Sequence, residues 1–292
     1  MRPTPRMLAA VALSLGGLSG VALPTASAHA AVRPATVSDS TREVPAASPL
    51  PVHVARRVLG SITTTASRDD DAGAPARRVE TAVSRLADAV RRQSHPDALR
   101  LAFQAYYNYR AAHPRVVRKP YLYFVDYGLD SSTPRGYVFD MEALRVVDGP
   151  FAVAHGRGSA PRDGVPTEFS NRHGSNATSL GLFLTQETYS FNGSSGGGHY
   201  RSVGLRLRGL SGFFNSRARA RGVVVHGAPY VTSRSAGRSE GCPAMDQARA
   251  RWLIPEISNG ALVFLFSPRD PAWLRSEPWT RNLEGKLARS RG

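Results

Sequence analysis

The chain has 292 residues, which suits one or two domains, and 41% of them are hydrophobic, enough to bury a core. Lys and Arg number 38 against 22 for Asp and Glu, giving a net charge of +16 that suits a polyanionic partner without choosing among them. A single cysteine excludes a disulfide framework and any zinc site built from several thiolates. No run of about 20 apolar residues lies beyond the N-terminus, which excludes a polytopic membrane protein.

The first elements in chain order concern export. Arg2 and Arg6 precede an uncharged, apolar or small-residue stretch from Met7 to Leu23, which Pro24 breaks. Ala26-Ser27-Ala28 then supplies the small-residue pattern of a cleavage site, so residues 1–28 read as a secretory signal peptide. An uncleaved anchor is the rival reading. Cleavage removes two arginines and no acid, taking the net charge from +16 to +14. The expectation is an exported protein of the periplasm, cell wall or extracellular space, with no integral membrane span after cleavage. A lone exported thiol is either buried and inert or kept for its reactivity.

Residues 29–75 are rich in Ala, Pro, Ser and Thr without periodicity, and read as a flexible linker that includes Asp69-Asp70-Asp71. Residues 76–115 form a helical segment. Val79, Ala82, Val83, Leu86, Ala89 and Val90 recur at helical spacing over 76–92. Ser94, Pro96 and Asp97 then mark a second helix start, and Leu99, Ala102, Phe103, Tyr106 and Tyr109 share its inner face. The tyrosine stripe Tyr106, Tyr107 and Tyr109 suits packing on a sheet better than sugar binding.

Residues 116–268 change character. Strand-like runs fall at Tyr121–Tyr127, Gly136–Met141, Leu144–Val147, Phe151–His155, Leu180–Thr185, Val203–Leu207, Gly222–His226 and Ala261–Phe266. The fold class is therefore mainly β with a few helices, a sandwich or barrel preceded by the helical segment. Asn192–Gly198 reads as a mobile loop. A helix is expected immediately after Cys242, with Met245, Ala248, Trp252 and Leu253 facing inward and Pro255 limiting it. Residues 269–292 read as a basic tail carrying Trp273 and Trp279 that can dock on the domain.

The chemistry concentrates between His226 and Cys242. A strand runs into His226, and a Gly/Ser/Arg-rich loop returns to Cys242. The thiolate is the nucleophile, and both a helix N-terminus and a neighbouring imidazole favour it. Cys242 placed before a helix, with Pro243 at its first position, and His226 at a strand end meet both needs. The amides of Gly241 and Cys242 are candidates to hold an oxyanion. Arg238 either fixes a substrate carboxylate or buttresses the loop, and Ser239 either shapes the loop or touches substrate. Glu240 reads as a solvated loop residue. His155 ends a strand before glycines and is a candidate for the cleft, although a structural histidine is the better reading. His173 and His199 read as loop residues. No spacing points to a metal and no motif to a cofactor.

Gly237-Arg238-Ser239-Glu240-Gly241-Cys242-Pro243-Ala244 resembles the active-site motif of the murein L,D-transpeptidase catalytic domain family, in the branch that reads Gly-Arg-Ser-x-Gly-Cys-Pro-Ala. Further blocks follow in the order of that family: Val125-Asp126-Tyr127, Phe139-Asp140-Met141, Ala154-His155-Gly156-Arg157-Gly158-Ser159, Phe169-Ser170-Asn171, Gly174-Ser175, Thr178-Ser179-Leu180-Gly181, Leu205–Leu210 and Val225-His226-Gly227-Ala228. The resemblance covers roughly residues 100–268. It implies a mostly β fold and a cysteine acyl-enzyme, with Cys242 as nucleophile and His226 as base. Gly227 falls near where the wider family orients the imidazole through a backbone carbonyl. His155, Tyr230 and Ser179 become candidates for the substrate cleft.

The resemblance also implies peptidoglycan stem peptides as substrate, release of terminal D-Ala, and transfer of the acyl group to an amine or to water. Anionic cell-envelope polymers are further candidate partners, and nucleic acid is not. The sequence departs from the broader family at Pro243, where Arg is frequent, and at Glu240, where His is usual. Arg238 is the candidate to restore the lost positive charge. Rival functions are an L,D-carboxypeptidase at the same site, a cysteine hydrolase of other peptides, and a non-catalytic wall-binding module.

Overall fold

Two helices form because their apolar residues recur every three or four positions. In α1 (Ala74–Leu86), Val79, Ala82 and Leu86 are buried, and a 3-10 turn at Ala87–Ala89 ends it earlier than the pattern suggests. In α2 (Ala98–Ala112), Leu99, Ala102, Phe103, Tyr106 and Tyr109 are buried, which is the face expected. Asp97 caps α2 without a side-chain hydrogen bond. Ser94 does not cap it either, because its amide and hydroxyl donate to Asp126 at 2.8 and 2.5 Å and so clamp the approach to α2 onto a strand end. The tyrosine stripe is packing, as Tyr109 meets Trp279 edge to face at 4.8 Å.

The computed structural model describes residues 74–281, apart from 162, 163 and 234. The expected signal peptide, the Asp69–Asp71 run and nearly all of the expected linker lie outside the described residues, as do residues 282–292 of the expected tail. The described residues belong to one compact unit, Ile62–Gly292, and the other unit, Met1–Ser61, is not among them.

The strands are β1 (Tyr121–Asp126), β2 (Gly136–Asp140), β3 (Arg145–Phe151), β4 (His155–Gly156), β5 (Gly181–Ser195), β6 (Gly198–Gly209), β7 (Val224–Gly227), β8 (Arg238–Ser239), β9 (Ala244–Met245) and β10 (Leu262–Phe266). Eight form one sheet in the order β3-β2-β1-β10-β5-β6-β7-β9, and β4 pairs with β8 in a short second sheet. The chain is thus mainly β with a helical segment ahead of the sheet, as expected. β1 and β10 run parallel, with Leu122 opposite Leu262, and nearly every residue of both is buried. Strands covered on both faces read as continuous apolar runs, as these two do. Phe103 of α2 meets Phe139 of β2 edge to face at 5.3 Å, which locks the helical segment to the sheet.

Three local readings are corrected. The expected loop at Asn192–Gly198 is the end of a long β5–β6 hairpin, in which Asn192 pairs with Arg201 and Ser195 with Gly198. Backbone pairing needs no apolar side chains, so Gly and Ser extend the ladder beyond the buried part of β5. The expected strands Leu144–Val147 and Phe151–His155 are instead β3 and the two-residue β4. The helix after Cys242, α3, spans Gln247–Glu256 with Asp246 as its N-cap, and Ala244–Met245 lie in β9. Trp252 is 50% exposed rather than inward, and Pro255 lies inside α3.

Residues 269–281 pack onto the sheet. In α4 (Pro271–Ser276) Trp273 is fully buried against Phe264 and Phe266. Glu277, next to it, is also buried. Its carboxylate accepts from the Ser211 hydroxyl at 2.8 Å and the Trp273 indole at 2.8 Å.

Candidate active site

β7 positions His226 between two strands. It pairs antiparallel with Gly204 of β6 and parallel with Ala244 of β9, two residues after Cys242. The His226 amide donates to the Pro243 carbonyl at 3.3 Å, so the strand carrying the imidazole holds the segment carrying the thiol. His226 is 7% exposed, and Phe191 of the β5 hairpin covers it edge to face at 5.6 Å.

The imidazole is oriented by its own neighbour. Nδ1 lies 3.1 Å from the Gly227 carbonyl, which only accepts, so Nδ1 carries the proton and Nε2 the free lone pair. Burial pushes His226 below its usual value, with the Gly227 carbonyl opposing. Gly227 has no room for a side chain, since a Cβ there would stand 2.6 Å from Ala250 of α3.

Cys242 is partly buried, and its Sγ donates to the Gly222 carbonyl at 3.9 Å. Burial pushes the thiol above its usual value, while a backbone hydrogen bond from Val224 and the charge of Arg221 oppose this. With the thiol raised and the imidazole lowered, both groups rest neutral near pH 7. The helix expected to favour the thiolate is absent at this point, because α3 begins five residues later.

Ser239 organises the loop before the thiol. Its hydroxyl donates to the Cys242 carbonyl at 2.6 Å and lies 3.3 Å from the His155 carbonyl, and it accepts from the Gly241 amide at 3.2 Å. The Gly241 amide is thereby occupied, which corrects its place in the expected oxyanion pair. The Cys242 amide has no protein acceptor among the described residues and remains the candidate donor. Gly241 has φ +116°, and a Cβ there would lie 3.0 Å from the Ala177 carbonyl, so this position requires glycine.

The other candidates sort by their partners. Arg238 donates to the Ala160 and Pro161 carbonyls at 3.1 and 2.7 Å and so buttresses a neighbouring loop. His155 is fully buried beside Arg135, 3.0 Å from Nδ1 to Nη2, and lines no cleft. Ser179 is 1% exposed, donates to the Ser170 carbonyl and receives Arg221, so it is a support rather than a cleft residue. Tyr230 is partly buried near Cys242, whose charge adds to the burial that raises its phenol. Glu240 is exposed, as expected, but is ion-paired with Arg157 at 2.7 Å.

Sequence reasoning missed Arg221, Tyr189, Phe191 and Tyr200. Tyr189 and Tyr200 lie near enough to Cys242 for its charge to raise their phenols. The alternation of β5 and β6 carried the tyrosines, but nothing local shows that the hairpin returns to His226. Among the described residues, no group of three His, Cys, Asp or Glu side chains gathers to hold a metal. The arrangement suits acyl transfer: an imidazole held in one tautomer, a neutral thiol and a free backbone amide beside that thiol.

A family profile for the L,D-transpeptidase catalytic domain matches residues 91–266, more than half of the chain. Among solved structures, an L,D-transpeptidase from Mycobacterium smegmatis is 16% identical with a TM-score of 0.32, over 50% of this chain and 58% of that one. One from Mycobacterium tuberculosis H37Rv is 14% identical at 0.32, over 50% and 57%. One from Xylanimonas cellulosilytica DSM 15894 is 18% identical at 0.29, over 51% and 61%. This chain therefore spans less than two thirds of each. No curated protein matches the chain. On the family match, the chain belongs to the L,D-transpeptidase catalytic domain family.

Proposed function

We propose that this protein is an exported cysteine L,D-transpeptidase of peptidoglycan. Cys242 attacks the carbonyl that joins the third residue of a stem tetrapeptide to its terminal D-Ala. His226 Nε2 takes the thiol proton as the S–C bond forms, and the Cys242 amide receives the developing oxyanion. The C–N bond then breaks. The imidazolium returns its proton to the departing D-Ala amine, leaving a Cys242 thioester. An amine from a neighbouring stem attacks the thioester and loses its proton to His226. The thiolate leaves and recovers that proton, and the product is a 3→3 cross-link. Water in place of the amine makes the same site an L,D-carboxypeptidase.

The observation that carries this reading is the Gly227 carbonyl 3.1 Å from Nδ1, on a strand whose amide holds the Pro243 carbonyl. It leaves Nε2 as the available base on an imidazole tied to the nucleophile segment. Export rests on Arg2, Arg6, the apolar run and Ala26-Ser27-Ala28. The test incubates reduced protein and its Cys242→Ala variant with disaccharide-tetrapeptide and reads products by mass. A cross-linked dimer in wild type alone supports the transpeptidase, and a tripeptide in wild type alone supports the carboxypeptidase. Wall binding that survives Cys242→Ala, with no thioester in wild type, supports a binding module and overturns the proposal.

A further inference from the structure

We infer that Arg221 is a positioning residue for the nucleophile, a guanidinium locked onto neutral acceptors so that the Cys242 sulfur, once ionised, is the anion it faces. The inference rests on the transpeptidase reading of Cys242. Nη1 donates to the Ser170 carbonyl at 2.7 Å and the Ser179 hydroxyl at 2.5 Å. Nη2 donates to the Ser175 hydroxyl at 3.1 Å and the Ala177 carbonyl at 2.8 Å. A guanidinium has five N–H groups. These four bonds use every proton on both Nη atoms and leave only Nε–H. A substrate carboxylate could take a two-pronged grip only by breaking part of this cradle. Arg221 therefore acts as a fixed charge toward the sulfur, a role different from the substrate-carboxylate contact expected of Arg238.

The cradle sets that charge against the thiol. A Cβ at Gly241, the residue before Cys242, would stand 3.6 Å from Arg221 Nη2. Cys242 Sγ in turn donates to the carbonyl of Gly222, the residue after Arg221. The other titratable groups around Cys242 are His226, lowered by burial and the base in the proposed reaction, Glu240, which opposes the thiolate, and the phenols of Tyr127, Tyr189, Tyr200 and Tyr230, all raised by burial. The Glu240 carboxylate is engaged by Arg157 instead. Arg221 has no carboxylate partner among the described residues, and the thiolate charge is what offsets its own desolvation. The serine-rich blocks Phe169–Asn171, Gly174-Ser175 and Thr178–Gly181 thus gain a purpose, as they build the acceptors that hold this one arginine.

An opposite charge close to a titrating group moves its pKa by about 1–3 units. The test follows alkylation of Cys242, the only cysteine in the full chain, by iodoacetamide across pH, with wild type, Arg221→Gln and Arg221→Lys. Arg221→Gln is expected to raise the thiol pKa by about one unit, read as roughly tenfold slower alkylation at pH 8, while Arg221→Lys stays within about threefold of wild type. A folded Arg221→Gln that titrates as wild type overturns the inference. So does a lysine variant as slow as glutamine, which would assign Arg221 to shape rather than charge. If Arg221→Gln does not fold, Ser175→Asp decides, because it gives Arg221 a competing anion. Slower alkylation supports the inference and an unchanged rate overturns it. The assay needs no peptidoglycan, so its failure leaves the transpeptidase reading standing, and that reading is judged by its own products.

Discussion

Glu277 makes the stability of this fold depend on pH in an unusual direction. Its side chain is 1% exposed, and burial pushes it from the usual 4.5 to about 7 despite donors from Ser211, Trp273 and Trp279. The folded state therefore binds a proton that the unfolded chain has already released between these two values. Stability from this group is fully present below about pH 4.5 and is lost as pH rises through about 7. A shift of about 2.5 units at 1.36 kcal/mol each amounts to about 3 kcal/mol. Glu277→Gln imitates the protonated carboxyl and removes the titration, while the cost of an amide facing the Trp273 indole is the same at every pH. Urea unfolding followed by tryptophan fluorescence from pH 4 to 8 measures the difference between variant and wild type. That difference should move by about 3 kcal/mol in favour of the variant across the range, roughly 6–12 °C in Tm for a domain of this size. Two curves that stay parallel from pH 4 to 8 would refute the argument.

Three further outcomes are expected. Ser239→Ala removes the hydroxyl shared by the Cys242 carbonyl and the Gly241 amide, and should cost about 1–3 kcal/mol in thermal unfolding and slow Cys242 alkylation. Gly241→Ala meets both φ +116° and the Ala177 carbonyl at 3.0 Å, so peptidoglycan turnover should fall at least tenfold, and a variant turning over at the wild-type rate would show that the loop adapts. Because the thiol is raised and the imidazole lowered, alkylation of the free protein should keep rising with pH through the alkaline range. A plateau already reached near pH 6 would reveal a resting thiolate–imidazolium pair instead.

The local physics of the chain was readable where the signal is local. The 3.6-residue spacing of Leu99, Ala102, Phe103 and Tyr106 located α2, and two-residue alternation located much of β6, because a helix or strand face is defined by neighbours in sequence. The motif around Cys242 and His226 was readable for the same reason, being a strand, a loop and a short return. Gly227 beside His226 was also within reach, since the carbonyl that orients the ring belongs to the next residue.

Only the tertiary structure decided what surrounds the thiol. The helix expected at Cys242 became β9, because parallel pairing with β7 outweighed a Pro-initiated helix and moved the start of α3 to Gln247. Arg221 reaches its acceptors across 42 to 51 residues of chain, and Phe191 meets His226 only because an antiparallel hairpin returns over β7. Arg238, nearer to Cys242 in sequence, points to the carbonyls of Ala160 and Pro161. The sequence by itself determined the mainly β class and singled out the Cys242 segment and His226 as candidates, since each rests on patterns spanning a few turns or strands. Which cation faces the sulfur, which hydroxyl ties the loop and which rings cover the imidazole were decided by long-range pairing, where contacts depend on register between strands and no local pattern records that register.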